Sequence, residues 1–253
     1  MSLQQIHWLY NYLWVAPHLL LIPVAAVMFR RGLHKKFPIF FSYLLFEFSQ
    51  FAFLFFLHDI KISPASYTNI DLFFRIGSIA LRFGILQEAL EASLGQNMPL
   101  RRAMARVMNW ATFFLVAVAS IFIVSLYYSI LNHRTFVAYV IVQALNTAQC
   151  GLLALVFAWH RFLGLRMSPM VFGILFGMGL AIGAEPLIMA LKDTFGIPGS
   201  TITDLAQFAA FHIAAVSWLY FAQVREKVSW ATETSALPDL RQWAADMGRI
   251  AQL

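Results

Sequence analysis

The sequence predicts an all-α integral membrane protein, a bundle of seven transmembrane helices. Three observations carry this. First, the hydrocarbon core of a bilayer is about 30 Å thick and takes roughly 20 mainly apolar residues to cross as a helix. Seven stretches qualify: 8–29, 37–58, 69–92, 107–130, 136–159, 169–191 and 201–223. Second, 60% hydrophobic with 12% charged residues would leave a soluble domain with far too much apolar surface. Third, 13 of the 18 Lys and Arg fall on one side of those stretches, against three on the other. Backbone groups in hydrocarbon must be bonded internally, and membrane strands alternate polar with apolar residues. The run Phe51-Ala52-Phe53-Leu54-Phe55-Phe56 does not alternate, so helices follow.

The first span, 8–29, follows a start without a basic n-region or a small-residue cleavage site, and is expected to be retained. Behind it come Arg30, Arg31, Lys35 and Lys36. Arg101, Arg102 and Arg106 follow the third span, Arg161 and Arg166 the fifth, and Arg225, Lys227, Arg241 and Arg249 lie in the tail. Only Lys61, Arg134 and Lys192 occupy the opposite side. The positive-inside rule then puts the N-terminus outside and the C-terminus in the cytoplasm, in the plasma (inner) membrane. The net charge of +6 reflects this topology and attraction to anionic headgroups; nucleic-acid binding has no support.

Charges at bilayer depth cost several kcal/mol unless they are paired or line a wet cavity. The second span carries Glu47 near its middle, and the third carries Arg82 at similar depth with Arg75 two turns outward. Depth predicts a Glu47–Arg82 ion pair, with Arg75 reaching Asp71 one turn away or Glu185 across the bundle. A static clamp is the commoner role of such pairs, and a polar working site the alternative.

In the fifth span Gln143, Asn146 and Cys150 follow i, i+3, i+7 spacing and share one face, expected to look inward as interhelical glue or ligand contact; Gln149 lies off it. Cys150 is the only cysteine, which excludes an internal disulfide or cysteine cluster. The sixth span holds two small-xxx-small pairs, Gly173 with Gly177 and Gly179 with Gly183, that let another backbone approach and offer a face for self-association. Glu185 and Pro186 follow. Proline removes the amide that would bond to Ile182, so Gly183 and Pro186 are expected to form a hinge beside a polar cavity. The seventh span carries His212. A cavity lined by the fifth-span stripe, Glu185 and His212 would be polar enough for a small ligand.

His18 and His212 lie at similar depth, and in a closed ring their spans would be neighbours. Neither belongs to a ligand-spaced motif, so core histidines are the expectation, with no metal and no haem. The bundle is expected over residues 1–224. In the tail, 225–253, Leu240, Trp243, Ala244, Met247, Ile250 and Ala251 share a helical face after Pro238, the pattern of a short amphipathic helix on the inner leaflet.

The path resembles that of G-protein-coupled receptors, yet the third span ends Gln87-Glu88-Ala89-Leu90-Glu91 without their acidic-Arg-aromatic signature, and the seventh lacks Asn-Pro-x-x-Tyr. Microbial rhodopsins carry retinal on a seventh-helix lysine; this span has His212 and no lysine, which argues against covalent retinal. Zinc-dependent seven-helix hydrolases are similar in span count alone, since His212 has no companion histidine at helical spacing. In its pattern of spans and aromatic-rich second span the chain is similar to bacterial seven-helix proteins without an assigned function. The expectation is a receptor- or sensor-like protein binding a small ligand in an outer-half polar cavity and signalling through a cytoplasmic partner or by self-association. A small-molecule or proton-coupled transporter is the alternative, and an intramembrane enzyme, for which no catalytic constellation assembles, comes third.

Overall fold

The structure, a computed structural model, describes residues 3–59, 64–94, 106, 109, 110, 113, 134–163, 167–195 and 200–224. Among these the chain is all-helical: α1 (Leu3–Arg30), the single turn α2 (Leu33–Lys36), α3 (Pro38–Asp59), α4 (Pro64–Leu94), α5 (Arg134–Leu163), α6 (Pro169–Phe195) and α7 (Ser200–Gln223). Six of the seven expected spans are therefore helices with nearly the expected ends. The expected span 107–130, apart from three positions in it, and the amphipathic helix in the tail lie outside the described residues.

Four helices contain a stretch long and apolar enough to cross a membrane: Trp8–Arg30 in α1, Pro38–Leu57 in α3, Pro169–Ile188 in α6 and Asp204–Gln223 in α7. α5 holds a shorter one, Val142–Ala158. α4 is long enough at 31 residues, but Asp71, Arg75, Arg82, Glu88 and Glu91 interrupt its apolar run. Large apolar side chains such as Phe56 and Phe73 stand 70% and 73% exposed on the outside of the bundle, as lipid contact would allow and water would not.

The helices close a ring. α1 packs between α3 and α7, α6 lies beside α7, α5 beside α6, and α4 beside both α5 and α3, with a further α4–α6 contact across the middle. Side-chain contacts fix which ends share a face. Arg31, just after α1, donates through Nη1 to the Ala222 and Val224 carbonyls at the end of α7. Glu88 near the end of α4 accepts from the Ile39 and Phe40 amides at the start of α3, at 2.8 and 3.0 Å. Phe157 of α5 meets Phe172 at the start of α6, which meets Phe221 of α7. One face thus gathers the ends of α1, α4, α5 and α7 with the starts of α3 and α6, and it carries Arg30, Arg31, Lys35 and Lys36.

These contacts satisfy helix-end groups that have no partner within their own helix. A carboxylate on the amides opening α3 and a guanidinium on the carbonyls closing α7 also have the signs that the helix dipoles favour. Gly32, at φ 69, makes the turn between α1 and α2, a backbone conformation that costs glycine little.

The apolar core lies toward the same face. It comprises Val24 and Met28 of α1, Phe37 just before α3, Phe40 and Leu44 of α3, Ile85 and Leu90 of α4, Leu152 and Val156 of α5, Ile174 and Leu175 of α6, and Trp218 of α7, among others. The small residues of α6 serve this packing. A Cβ at Gly177 would overlap the Trp218 indole and one at Gly173 the Phe221 side chain, while Gly179 faces Leu153 and Gly183 faces the Cys150 sulfur. Within the chain, Gly173 and Gly177 thus let α7 approach α6, while Gly179 and Gly183 stay half-buried beside α5. Trp218 lies close enough for its indole N–H to donate to the Ile174 carbonyl at 3.4 Å.

Candidate functional site

Along each of the six long helices the core gives way to a polar cavity on the side away from the basic face. The cavity has a volume of about 190 Å³ and is walled by all six. At 1.5 Å per residue its lining positions lie roughly 20 Å in from the basic-face helix ends, so in a bilayer core about 30 Å thick it occupies the middle and the far half.

Helical spacing places the polar wall. On α4, Arg75, Ser78 and Arg82 follow i, i+3, i+7 and share a face; on α3, Glu47 and Gln50 are one turn apart; on α7, Gln207 and Phe211 are too. Glu47 is buried, and its Oε1 accepts from the Ser78 hydroxyl and from Arg82 Nη2 at 3.5 Å, the ion pair that depth predicted. The Arg82 guanidinium also lies over the Tyr43 ring, 5.8 Å from its centroid, and its Nε is buried with no partner among the described residues. Arg75 takes the nearer of its two expected partners, Asp71, at 2.7 Å.

His18 enters from α1. Its Nδ1 lies 2.9 Å from the Trp14 carbonyl, and its ring stacks on Phe51 of α3 with centroids 4.4 Å apart. A carbonyl only accepts, so in the neutral ring Nδ1 carries the hydrogen and Nε2 is the acceptor left for the cavity. Across from it, Asn146 of α5, Ala181 of α6, and Gln207, Phe208 and Phe211 of α7 complete the wall with Ile79 and Val142.

The expected site residues divide accordingly. Glu47, Arg75, Arg82 and Asn146 come together in the cavity. His212 is corrected: it lies in a separate, mostly apolar recess with Tyr12, Ala16, Leu19, Leu20 and Val216, its ring 5.9 Å from that of Tyr12. The reason is helical phase, since Phe211 faces the cavity and the next residue is turned away by about 100°. Gln143 is also off the wall, with its Oε1 buried and unpartnered among the described residues. Gln149, judged off the inward stripe, is fully buried and its side-chain amide donates to the Ile79 carbonyl at 2.7 Å, tying α5 to α4. Glu185 lies on α6, but its side chain falls outside what the structure describes. Pro186 lies within α6, which stays helical to Phe195.

His18 and His212, on neighbouring helices as a closed ring requires, have different surroundings. Among the described residues no group of three or more His, Cys, Asp or Glu converges to hold a metal. Ser78, Gln50 and Gln207 were missed by sequence reasoning although the same i, i+3, i+7 and i, i+4 spacings that exposed the fifth-span stripe also join them to charged or aromatic neighbours. Compared with family models, with curated proteins and with solved structures, the chain matches none, so its function is read from this geometry.

Proposed function

We propose that the chain is a receptor-like, multi-pass protein of the plasma membrane that binds a small ligand in this cavity and passes its occupancy to the basic face, where a cytoplasmic partner reads it. The observation that carries the reading is a polar cavity at membrane depth to which every described long helix contributes, closed toward the basic face by a packed apolar core. Polar side chains in hydrocarbon are costly enough to mark a working site when they line a shared space.

A seven-span path with the N-terminus outside is supported by the shared faces. α1 begins beside the start of α7, with Tyr10 against Phe208, and ends beside its end, with Arg31 on Ala222. The described chain therefore starts on one face and finishes on the other, as an odd number of crossings requires. α4 ends on the basic face and α5 begins on the opposite one, so a crossing between them would complete seven. The basic residues of the shared face support a cytoplasmic placement for it.

A proton-coupled carrier is the second reading, favoured by the presence of His18 beside the Glu47–Arg82 pair in one cavity. Among the described residues the packed core on the basic side supports the receptor over the carrier, since a carrier needs a path onward.

Single cysteines test the placement in a Cys150→Ser background. Gln207→Cys is expected to react with a membrane-impermeant thiol reagent added to intact cells, and Val224→Cys only after permeabilisation. The reverse pattern overturns the orientation, and an inert Gln207→Cys under both conditions overturns the open cavity. Uptake into proteoliposomes that Glu47→Gln abolishes would decide for the carrier.

A further inference from the structure

The open hydrogen-bonding groups of the cavity are sorted by wall, and the geometry points to a small zwitterion of the amino-acid class as its ligand. This rests on the cavity being a ligand site, as proposed above, and adds the chemistry of what fills it.

On the α1–α3 wall acceptors predominate among the open groups. His18 has Nε2 left over once Nδ1 is spent on Trp14. Glu47 receives both of its bonds on Oε1, which leaves Oε2. Gln50 Oε1 is buried without a partner among the described residues. His18 Nε2 and Glu47 Oε2 can only accept while the His18 ring is neutral, and the Gln50 amide adds a third acceptor beside its own N–H donors, so this wall suits a donor-rich group such as an ammonium, which supplies three N–H bonds at once.

The α4 wall is opposite in kind. Arg82 spends Nη2 on Glu47 and keeps Nε unpartnered, while Arg75 meets Asp71 through Nε and lines the cavity with the rest of its fork unassigned. Guanidinium groups donate only and match a carboxylate in shape as well as charge. Within the lining the formal charges of Glu47, Arg75 and Arg82, together with the Asp71 partner of Arg75, cancel. A ligand of net charge would enter uncompensated, which is costly at this depth, whereas a zwitterion keeps the cavity neutral.

The remainder of the wall is apolar, from Ile79, Val142, Ala181, Phe208 and Phe211, and would take an aliphatic side chain. The volume of about 190 Å³ lies below the range of about 300–1,000 Å³ typical of drug-sized ligands and suits a molecule of on the order of ten non-hydrogen atoms.

The test compares L-leucine with its two single-charge analogues, 3-methylbutylamine and 4-methylpentanoate, by calorimetric titration of the purified full chain. Leucine is expected to bind saturably and each analogue at least tenfold more weakly. Arg75→Gln, whose partner is a surface-facing Asp71, should fold and weaken leucine at least tenfold while leaving the amine unchanged; His18→Phe should do the same for leucine while leaving the acid unchanged. An analogue that matches leucine, or no binding of leucine, glycine or phenylalanine, overturns the zwitterion. Labelling of Gln207→Cys is independent of ligand charge, so a failure here with labelling intact discards the ligand class and keeps the cavity.

Discussion

On α3 the inward-facing Phe40, Tyr43 and Leu44 are sealed in the core, whereas Glu47 and Gln50, on the following turns, line a cavity. The same division recurs on every long helix: Met28 against His18 on α1, Ile85 against Ser78 on α4, Leu152 against Asn146 on α5, Met178 against Ala181 on α6, and Trp218 against Phe211 on α7. Ile182 alone among the core cluster lies beyond the level of the cavity residue on its helix. The basic half is filled with apolar side chains and its helix ends are capped across helices, while the far half holds charges, amides and space. The difference assigns stability to one half and recognition to the other. It also gives a ligand a rigid floor to push against, since a packed core moves between discrete arrangements and resists small deformations.

The largest effect is expected where the filled half is emptied. Trp218 is fully buried among Phe40, Tyr43 and Phe211 and donates to Ile174, so Trp218→Ala should lower stability by about 3–5 kcal/mol, the usual range for a large aromatic removed from a core. Phe208→Ala, on the cavity wall, should cost less than half of that because the ring already borders space. Thermal unfolding in detergent measures both, and equal losses would break the division. Next is the ion pair. Removing Glu47 alone strands Arg82 in the interior, a loss of about 3 kcal/mol or more for a buried pair. Charge reversal sharpens this: Glu47→Arg with Arg82→Glu should recover most of the stability that either single change loses, and a swap that recovers nothing would show that the contact does not hold the helices together.

Capping comes third. Glu88→Ala leaves two amides at the start of α3 without their carboxylate and should cost about 2 kcal/mol, in line with charged hydrogen bonds and helix caps. Glu88→Gln, which keeps one acceptor, should lose about half as much.

The sequence made the described helices legible because their signal is local: length and hydropathy depend on nothing across the bundle. Glu47 with Arg82 was legible for a similar reason, since adjacent spans and equal depth leave few other partners. What depends on rotation about a helix axis was not. His212 and Phe211 differ by one residue, and only the neighbours decide which of them looks inward. The capping role of Glu88 was not legible because its amide partners lie on α3, 48 and 49 residues away in sequence. Gly173 and Gly177 of α6 announced a close approach but not whose; the answer, Phe221 and Trp218 of the same chain, needed the ring to be closed first.

The smallest effects fall on charges at the two faces, and they separate the halves most finely. Arg31 bonds carbonyls at the end of α7 from an exposed position, so Arg31→Ala should cost about 1 kcal/mol or less, reduced further by salt, through the loss of a cation at a helix C-terminus. Arg75, half exposed and joined to Asp71 one turn away, should cost only a few tenths of a kcal/mol, as i, i+4 pairs do. Two arginines of nearly equal weight in stability then differ in what they serve. Arg31→Ala loosens α7 where the floor meets the basic face and should leave ligand affinity within about twofold, because the packed core lies between it and the cavity. Arg75→Gln should leave the melting temperature within about two degrees, as a change of a few tenths of a kcal/mol implies for a domain of this size, and still remove binding. Affinity lost equally in both variants would break the assignment of recognition to the far half alone.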